Sequence, residues 1–306
     1  MPRLKLLACL AAAAILYSCT NSNPPEQTKK AAQPAPDHPS VTVQGATYTP
    51  RSILARNMGK AEDQEAQFPP HKIIGNLYYV GTRTLSSFLV VTPQGNILID
   101  STYERNAPVI EKSVKELGFK FTDIKILLGS HAHGDHQEGD ALVKQMTGAK
   151  VMAMAEDVPA LQAMKPGGKE HPIDQTLHDG ESVTLGGTTL VAHLTAGHTR
   201  GGTSWTMEAQ EGGKTYHVVI YCSLRSPTVL TPPITDEFNR SFKFVRTLPC
   251  DVPLGDHPGQ YHMQEKYAKV EKGSPNPFID AAGCPVEADI EEAMFHAILD
   301  EQAKAR

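Results

Sequence analysis

Gly129-Ser-His-Ala-His-Gly-Asp-His-Gln137 places three imidazoles and a carboxylate within six residues, directly behind the apolar run Ile124-Lys-Ile-Leu-Leu128. Neutral imidazole and carboxylate are donors that divalent zinc accepts at about 2.0 to 2.2 Å, and a strand ending in a short loop can aim several of them at one point. His131 and His133, two apart on extended backbone, face the same side, whereas Asp135 and His136 lie where the chain turns into a helix and point elsewhere. One ion would take the first pair and a second ion the other. The alternative is a polar loop whose histidines only cap and solvate, which leaves closely packed ionisable groups without a cation between them.

The remaining donors must come from far along the chain. Thr195-Ala-Gly-His-Thr-Arg-Gly-Gly202 lies between the strand-like runs Thr188–His193 and Thr203–Thr206, so His198 sits on a glycine-rich turn with little steric cover. Leu254-Gly-Asp-His-Pro-Gly259 follows the apolar run Val252-Pro-Leu254 and puts His257 in a similar strand-end turn. Alone, each histidine reads as a surface residue. Together with the cluster they complete two sets of three.

With these residues in view the chain resembles the metallo-β-lactamase superfamily, and within it the third subclass, B3, of zinc β-lactamases. The resemblance runs from Ile73-Ile-Gly-Asn-Leu-Tyr-Tyr-Val-Gly81 through Asn96-Ile-Leu-Ile-Asp-Ser101, the His-x-His-x-Asp-His cluster and Gly197-His-Thr199 to Asp256-His-Pro258. It implies two zinc ions, the first held by His131, His133 and His198 and the second by Asp135, His136 and His257. The cluster marks only the superfamily, which also contains thioester hydrolases, lactonases, sulfatases and nucleases. Tyr221-Cys-Ser-Leu224 narrows it. Most non-lactamase members carry an aspartate at this strand end that bridges both metals; here Cys222 and Ser223 stand in its place. Ser223 matches the serine that, in the third subclass, hydrogen-bonds a water on the second zinc while His136 serves as ligand. Cys222 reads as a small buried hydrophobe, the alternative being a thiolate that competes for zinc if the strand end slips by one residue. Where relatives offer a small hydroxyl residue for the substrate carboxylate stands Arg225, which would grip that carboxylate bidentately, fill the cleft, or lie exposed on its loop.

The chemistry this resemblance implies is hydrolytic. Two zinc ions sharing a water would bring its pKa toward about 7, and the hydroxide would attack a β-lactam carbonyl. The first zinc would polarise the carbonyl oxygen and the second take the departing nitrogen, with Asp135 orienting the hydroxide. The expected function is a dizinc β-lactamase acting on penicillins, cephalosporins and carbapenems and conferring antibiotic resistance. The alternatives are a lactonase or thioesterase of the same superfamily and a non-catalytic zinc-binding lipoprotein.

Composition bounds the rest. The 306 residues, 40% hydrophobic and 21% charged, suffice for one large two-sheet core, and no stretch reaches the roughly 20 apolar residues that span a bilayer. A net charge of −5, without a basic stripe of interleaved aromatics, argues against a nucleic-acid partner. Arg3 and Lys5 precede the apolar stretch Leu6–Leu16, and Leu16-Tyr-Ser-Cys19 reads as a lipobox. Residues 1–18 are then a signal peptide, Cys19 is lipidated, and 19–45 form a disordered tether rich in Pro, Gln, Lys and Ala. An ordinary secretory signal cleaved nearby is the alternative. Thr20, not aspartate, after the cysteine points to an outer-membrane anchor facing the periplasm. Of the five cysteines, Cys222, Cys250 and Cys284 remain in an oxidising compartment. By the resemblance Cys250 and Cys284 pair and brace His257, two free thiols being the other possibility. The expected protein is a monomer.

Strand-length apolar runs recur at Leu77–Val80, Phe88–Val91, Asn96–Ile99, Ile124–Leu128, Lys150–Met154, Thr188–Ala192, Ser204–Met207 and His217–Tyr221. Helices are expected over Val109–Leu117, Gly139–Thr147 and Val286–Lys304, the last with Glu287, Asp289, Glu291 and Glu292 where the helix dipole favours them. The pattern supports an αββα sandwich, the metallo-β-lactamase fold, as one catalytic domain over 46–306. Residues 40–70 either edge the active site as a helix and arm or pack on the surface. Asp100 should hydrogen-bond loop amides behind the ligands. His262 should start a surface helix, and His171, His178 and His193 have no partner spacing. The loop Lys165–Pro172 reads as mobile and bordering the cleft.

Overall fold

In the computed structural model, which describes residues 37–272 and 275–305, a hairpin of β1 (Val41–Val43) and β2 (Ala46–Tyr48) precedes two larger sheets. The first contains, in sequence order across the sheet, β3 (His71–Ile74), β4 (Leu77–Tyr79), β5 (Phe88–Thr92), β6 (Gly95–Ile99), β7 (Ile124–Leu128), β8 (Lys150–Met154) and β9 (Gln175–Leu177). Its first four strands are antiparallel, and from β6 onward neighbours run parallel. The second contains β10 (Ser182–Leu185), β11 (Thr188–Leu194), β12 (Thr203–Glu211), β13 (Lys214–Tyr221) and β14 (Val252–Gly255), with only the β13–β14 pair parallel. The helices are α1 (Pro50–Met58), α2 (Ala107–Glu116), α3 (Gly134–Gln137), α4 (Asp140–Thr147), α5 (Val158–Ala163), α6 (Pro232–Val245), α7 (Met263–Glu271) and α8 (Val286–Lys304).

Alternation along each strand decides which side chains meet which layer. In β6, Ile97 and Ile99 point into the space between the sheets, while Leu98 turns outward to Ile110 and Val114 of α2 and Val143 of α4. In β13, Val218 and Ile220 face the same interior, and Val219 and Tyr221 pack outward against Phe238 and Phe242 of α6 and Phe295 of α8. The result is the expected αββα sandwich. Helix α6 was not among the expected helices, although its buried residues recur at helical spacing. Phe238, Ser241, Phe242 and Val245 are its buried positions, and the Ser241 hydroxyl donates to the Ala196 carbonyl at 2.7 Å.

Folded structure begins ahead of residue 46, since β1 pairs with β2 and Val41 and Val43 pack against the α6–α8 layer. The tether boundary at 45 is corrected to that extent. The signal peptide, Cys19 and the tether up to residue 36 lie outside the described residues. Among the described residues no helix is long and apolar enough to cross a membrane. Cys250 and Cys284 form a disulfide, tying the approach to β14 to the approach to α8.

Two of the acidic residues in the first turns of α8 serve an ion pair. Glu287 and Glu291, both buried, face Arg56 of α1, whose Nη2 lies 2.6 Å from Glu287 and 3.7 Å from Glu291. Burial, then the neighbouring Glu287 charge, push the Glu291 carboxyl up to about 8 against the opposing pull of Arg56 and Arg225. The folded chain therefore holds a proton that the unfolded chain releases near the ordinary glutamate value, and stability falls as pH rises between those values. Glu291→Gln, permanently neutral, is expected to raise the melting temperature relative to the parent by a margin that grows from about pH 5 to about pH 8. Calorimetry across that range checks it, and a margin independent of pH contradicts it.

Candidate metal centre

The loops that carry the predicted donors leave the sandwich at one edge. Parallel register aligns Ile99 with Leu128, Leu128 with Met152, and Tyr221 with Gly255. Asp100, the 129–136 loop, Asp157, Ser223 and His257 therefore all follow the carboxyl ends of strands, where ligands gather in open α/β sheets. The antiparallel pair Leu194–Thr203 brings the 195–202 turn to the same place. His133 is extended and immediately precedes α3, whose first turn supplies Asp135 and His136.

The donors converge as two sets. His131, His133 and His198 offer nitrogens within 4.8 Å of one another, and a carboxylate oxygen of Asp135 lies within the same distance of nitrogens of His136 and His257, which are equally close to each other. Ring centroids in the first set are 4.7 to 4.9 Å apart, and the His131 and His136 rings, 4.1 Å apart, join the sets. A third combination, His131, His136 and Asp256, meets the same distance limit. Asp256, however, lies behind the imidazoles, its Oδ2 accepting from the Ser223 amide at 3.1 Å and standing 3.5 Å from His131 Nδ1.

Hydrogen bonds orient the rings. His136 Nδ1 donates to Asp100 Oδ2 at 3.0 Å, His198 Nδ1 to the Arg225 carbonyl at 2.8 Å, and His257 Nδ1 to the Thr84 carbonyl at 3.0 Å. With Nδ1 committed as donor, each Nε2 is the atom left for a cation. His136 Nε2 is buried without a hydrogen-bond partner, 3.4 Å from Asp135 Oδ2. An orphaned imidazole nitrogen in such a cluster is a group that a cation satisfies. Burial, reinforced by neighbouring imidazoles, holds His131 well below the ordinary histidine value and His198 at about 3, so both are neutral donors at neutral pH. His136 differs. Burial opposes its charge, but Asp135 and Asp100 on either side hold it well above the ordinary value, so a metal bound there displaces a proton. Imidazoles with one carboxylate suit zinc.

The structure shows what supports this arrangement. Asp100 acts as expected: Oδ1 accepts from the Ser130 amide and Oδ2 from the Ser130 hydroxyl, both at 2.7 Å. Asp100 and Thr102 both have positive φ, 61° and 57°, and Thr102 is held there by its amide on the His136 carbonyl and by Gly139 N on its own carbonyl. For a β-branched residue this is strained backbone, locked by the metal helix itself. The Trp205 indole is buried and donates to the Gly129 carbonyl at 3.2 Å. Thr84, Asp157 and the Asp140–His171 pair had no signal in local spacing. His171 is buried, with Nε2 3.2 Å from Asp140 Oδ2 and 3.1 Å from the Gln137 carbonyl. The end of the Lys165–Pro172 loop is therefore anchored to the α3–α4 segment through His171, a pairing that no sequence spacing announces. His193 bonds Thr206 and stands apart from the centre, His178 is exposed, and His262 precedes α7 as expected.

Ser223 is buried with φ +62°, and its Oγ has no partner. A Cβ on Gly202 would come within 2.5 Å of Ser223 Cβ, so only glycine admits the serine there. Cys222 is 1% exposed, belongs to the inter-sheet core and has a thiol that burial raises well above its ordinary value. It is the buried hydrophobe, and the strand end is not slipped. Arg225 is half-buried, and its backbone carbonyl holds the His198 ring. Helix α1 packs behind the His257 turn, where a Cβ on Gly259 would meet the Arg56 carbonyl at 2.5 Å. Asp100→Asn is expected to weaken zinc binding by about 10- to 100-fold, read by chelator competition on protein of unchanged circular dichroism. Unchanged affinity would show that His136 needs no carboxylate behind it.

The Metallo-beta-lactamase superfamily profile matches residues 80–211. Among solved structures the chain is similar to the native FEZ-1 metallo-β-lactamase of Legionella gormanii, at 44% identity over 78% of this chain and 98% of that one, with a TM-score of 0.75. It is also similar to BJP-1, a subclass B3 metallo-β-lactamase of Bradyrhizobium japonicum, at 35% identity over 80% and 98% with a TM-score of 0.74. The class B3 di-zinc enzyme LRA-12 from an Alaskan soil metagenome aligns at 30% identity over 78% and 97%, TM-score 0.70. Among curated proteins, the hydroxyacylglutathione hydrolase of Methylobacterium nodulans is 34% identical over 92 residues. That stretch is 30% of this chain and spans 31% of that protein's length.

Proposed function

Because the chain belongs to the metallo-β-lactamase superfamily of hydrolases, we propose that it hydrolyses the β-lactam amide of penicillins, cephalosporins and carbapenems. Two zinc ions would be held by His131, His133 and His198 and by Asp135, His136 and His257. The observation that carries this reading is the pair of adjoining donor sets facing a strand end that bears Ser223 and no carboxylate. Zinc, when bound, supplies Lewis acidity, polarising a carbonyl oxygen and acidifying a water.

The chain's own groups supply the rest. Neutral His131 and His198 leave a bound cation's charge undiminished. Against the cost of burial, His136 and His257 hold Asp135 far below the usual carboxylate range, so its carboxylate stays ionised, with Oδ2 beside the His136 and His257 nitrogens for a cation and the carboxylate able to accept from an attacking water. The partnerless Ser223 Oγ, turned by its positive φ, offers a hydroxyl to a water or substrate oxygen. Arg225 offers a guanidinium to the carboxylate that β-lactam drugs carry. The burial of His131, His136 and His257 excludes bulk water and strengthens each of these interactions.

Thioester hydrolysis is the second reading, favoured by the match to a hydroxyacylglutathione hydrolase; the absence of a carboxylate at Cys222 and Ser223 weighs against it. We further propose that the folded domain works as a monomer in the periplasm, tethered to the outer membrane through lipidated Cys19. His133→Ala and Asp135→Ala are each expected to lose nearly all penicillin, cephalosporin and carbapenem turnover while keeping the parent's circular dichroism, and Cys222→Ser to retain it. Retained turnover in both of the first two variants contradicts the ligand assignment. A parent that turns over a thioester and none of the three drugs contradicts the substrate class.

A further inference from the structure

Resting on the two-set reading of the centre, we propose that Asp157 is a positioning residue for the first set. It fixes the spacing between the 130–133 loop and the 195–202 turn, and so sets the zinc affinity of His131, His133 and His198 without touching the metal. Asp157 ends a turn after β8 and is 2% exposed. Its Oδ2 accepts from the Ala132 amide and from the Thr199 hydroxyl, each at 2.8 Å, and its Oδ1 accepts from the Gly201 amide at 2.7 Å. Ala132 lies between His131 and His133, and Thr199 directly follows His198. One carboxylate therefore grips the backbone between His131 and His133 and, through the Thr199 hydroxyl and the Gly201 amide, the turn that carries His198. Its partners are two amides and a hydroxyl, all of which can donate to the two carboxylate oxygens. The approach is close enough to demand glycine, because a Cβ on Gly201 would stand 2.5 Å from Asp157 N.

The second set has separate supports. His136 leans on Asp100 and His257 on the Thr84 carbonyl, and neither is a partner of Asp157. The same two segments are also tied, ahead of His131 and beyond His198, by Thr203 N on the Ser130 carbonyl at 2.7 Å and by Trp205 on Gly129. The sandwich edge thus keeps its shape when Asp157 is changed, while the spacing of the first donors does not. Asparagine cannot replace the aspartate, because its NH₂ would face an N–H or O–H donor whichever way it turned.

The test is zinc affinity, by calorimetry and chelator competition, in two backgrounds: His257→Ala, which leaves the first set complete, and His198→Ala, which leaves the second. Asp157→Asn is expected to weaken zinc binding in the first background by about 10- to 100-fold and in the second by less than about threefold. Thr199→Val, which removes one of the three contacts and leaves the carboxylate, should show the same asymmetry with a smaller loss, and it decides the matter if Asp157→Asn does not fold. Equal losses in both backgrounds indicate a merely structural carboxylate and overturn the proposal, as does no loss in the first. If His257→Ala and His198→Ala each fail to retain one zinc, the two-set reading falls and the positioning role falls with it.

Discussion

Burial of mutually repelling donors is the constraint on which this structure turns. Five imidazoles and a carboxylate from the two sets, His131, His133, His136, His198, His257 and Asp135, are crowded at one sheet edge, and three of the imidazoles are almost wholly out of water. Such a cluster is costly unless a cation or an ordered set of hydrogen bonds compensates it. The chain provides the second kind of compensation in its own covalent structure. Carboxylates stand behind the imidazoles, Asp100 against His136 and Asp256 near His131, while the backbone carbonyls of Arg225 and Thr84 take the Nδ1 protons of His198 and His257. The anchors on His136, His198 and His257 each commit one ring nitrogen and leave the other free of them.

The sandwich makes this possible because its parallel strands all end on the same side. β6, β7 and β8 deliver Asp100, the histidine loop and Asp157 in adjacent registers, and β13 and β14 deliver Ser223 and His257. The interior residues that set those registers, among them Ile99, Leu128, Met152 and Ile220, are wholly or almost wholly buried, so a strand could not slip without turning its apolar face outward. Local strain is concentrated where function requires it. Asp100, Thr102 and Ser223 are non-glycine residues with positive φ at the rim of the centre, and each is held by hydrogen bonds to a neighbouring ligand loop or its supporting carboxylate.

What could be read from the sequence was what is local. The His-x-His-x-Asp-His spacing carries the split into two sets within six residues, and the histidines at 198 and 257 announce themselves by glycine-rich strand-end turns. Strands such as Phe88–Thr92 and Ile124–Leu128 appear as nearly continuous apolar runs because both their faces are covered except at Lys125. Asp157 was invisible for the opposite reason: its three partners come from residues 132, 199 and 201, and no periodicity links an aspartate to amides that distant. His171 and Asp140 likewise meet only in the folded chain. The pairing of Cys250 with Cys284 came from family likeness and not from spacing. Arg225 is the residue where likeness gave least, since it stands where the family pattern led one to expect a small hydroxyl, and its backbone carbonyl holds the His198 ring.

The most direct measurement is zinc K-edge X-ray absorption, with metal analysis, on zinc-loaded protein. The account predicts two zinc ions per chain surrounded by nitrogen and oxygen at about 2.0 to 2.2 Å, with no sulfur shell at about 2.3 Å. A single zinc, or a sulfur shell placing Cys222 on the metal, would contradict it.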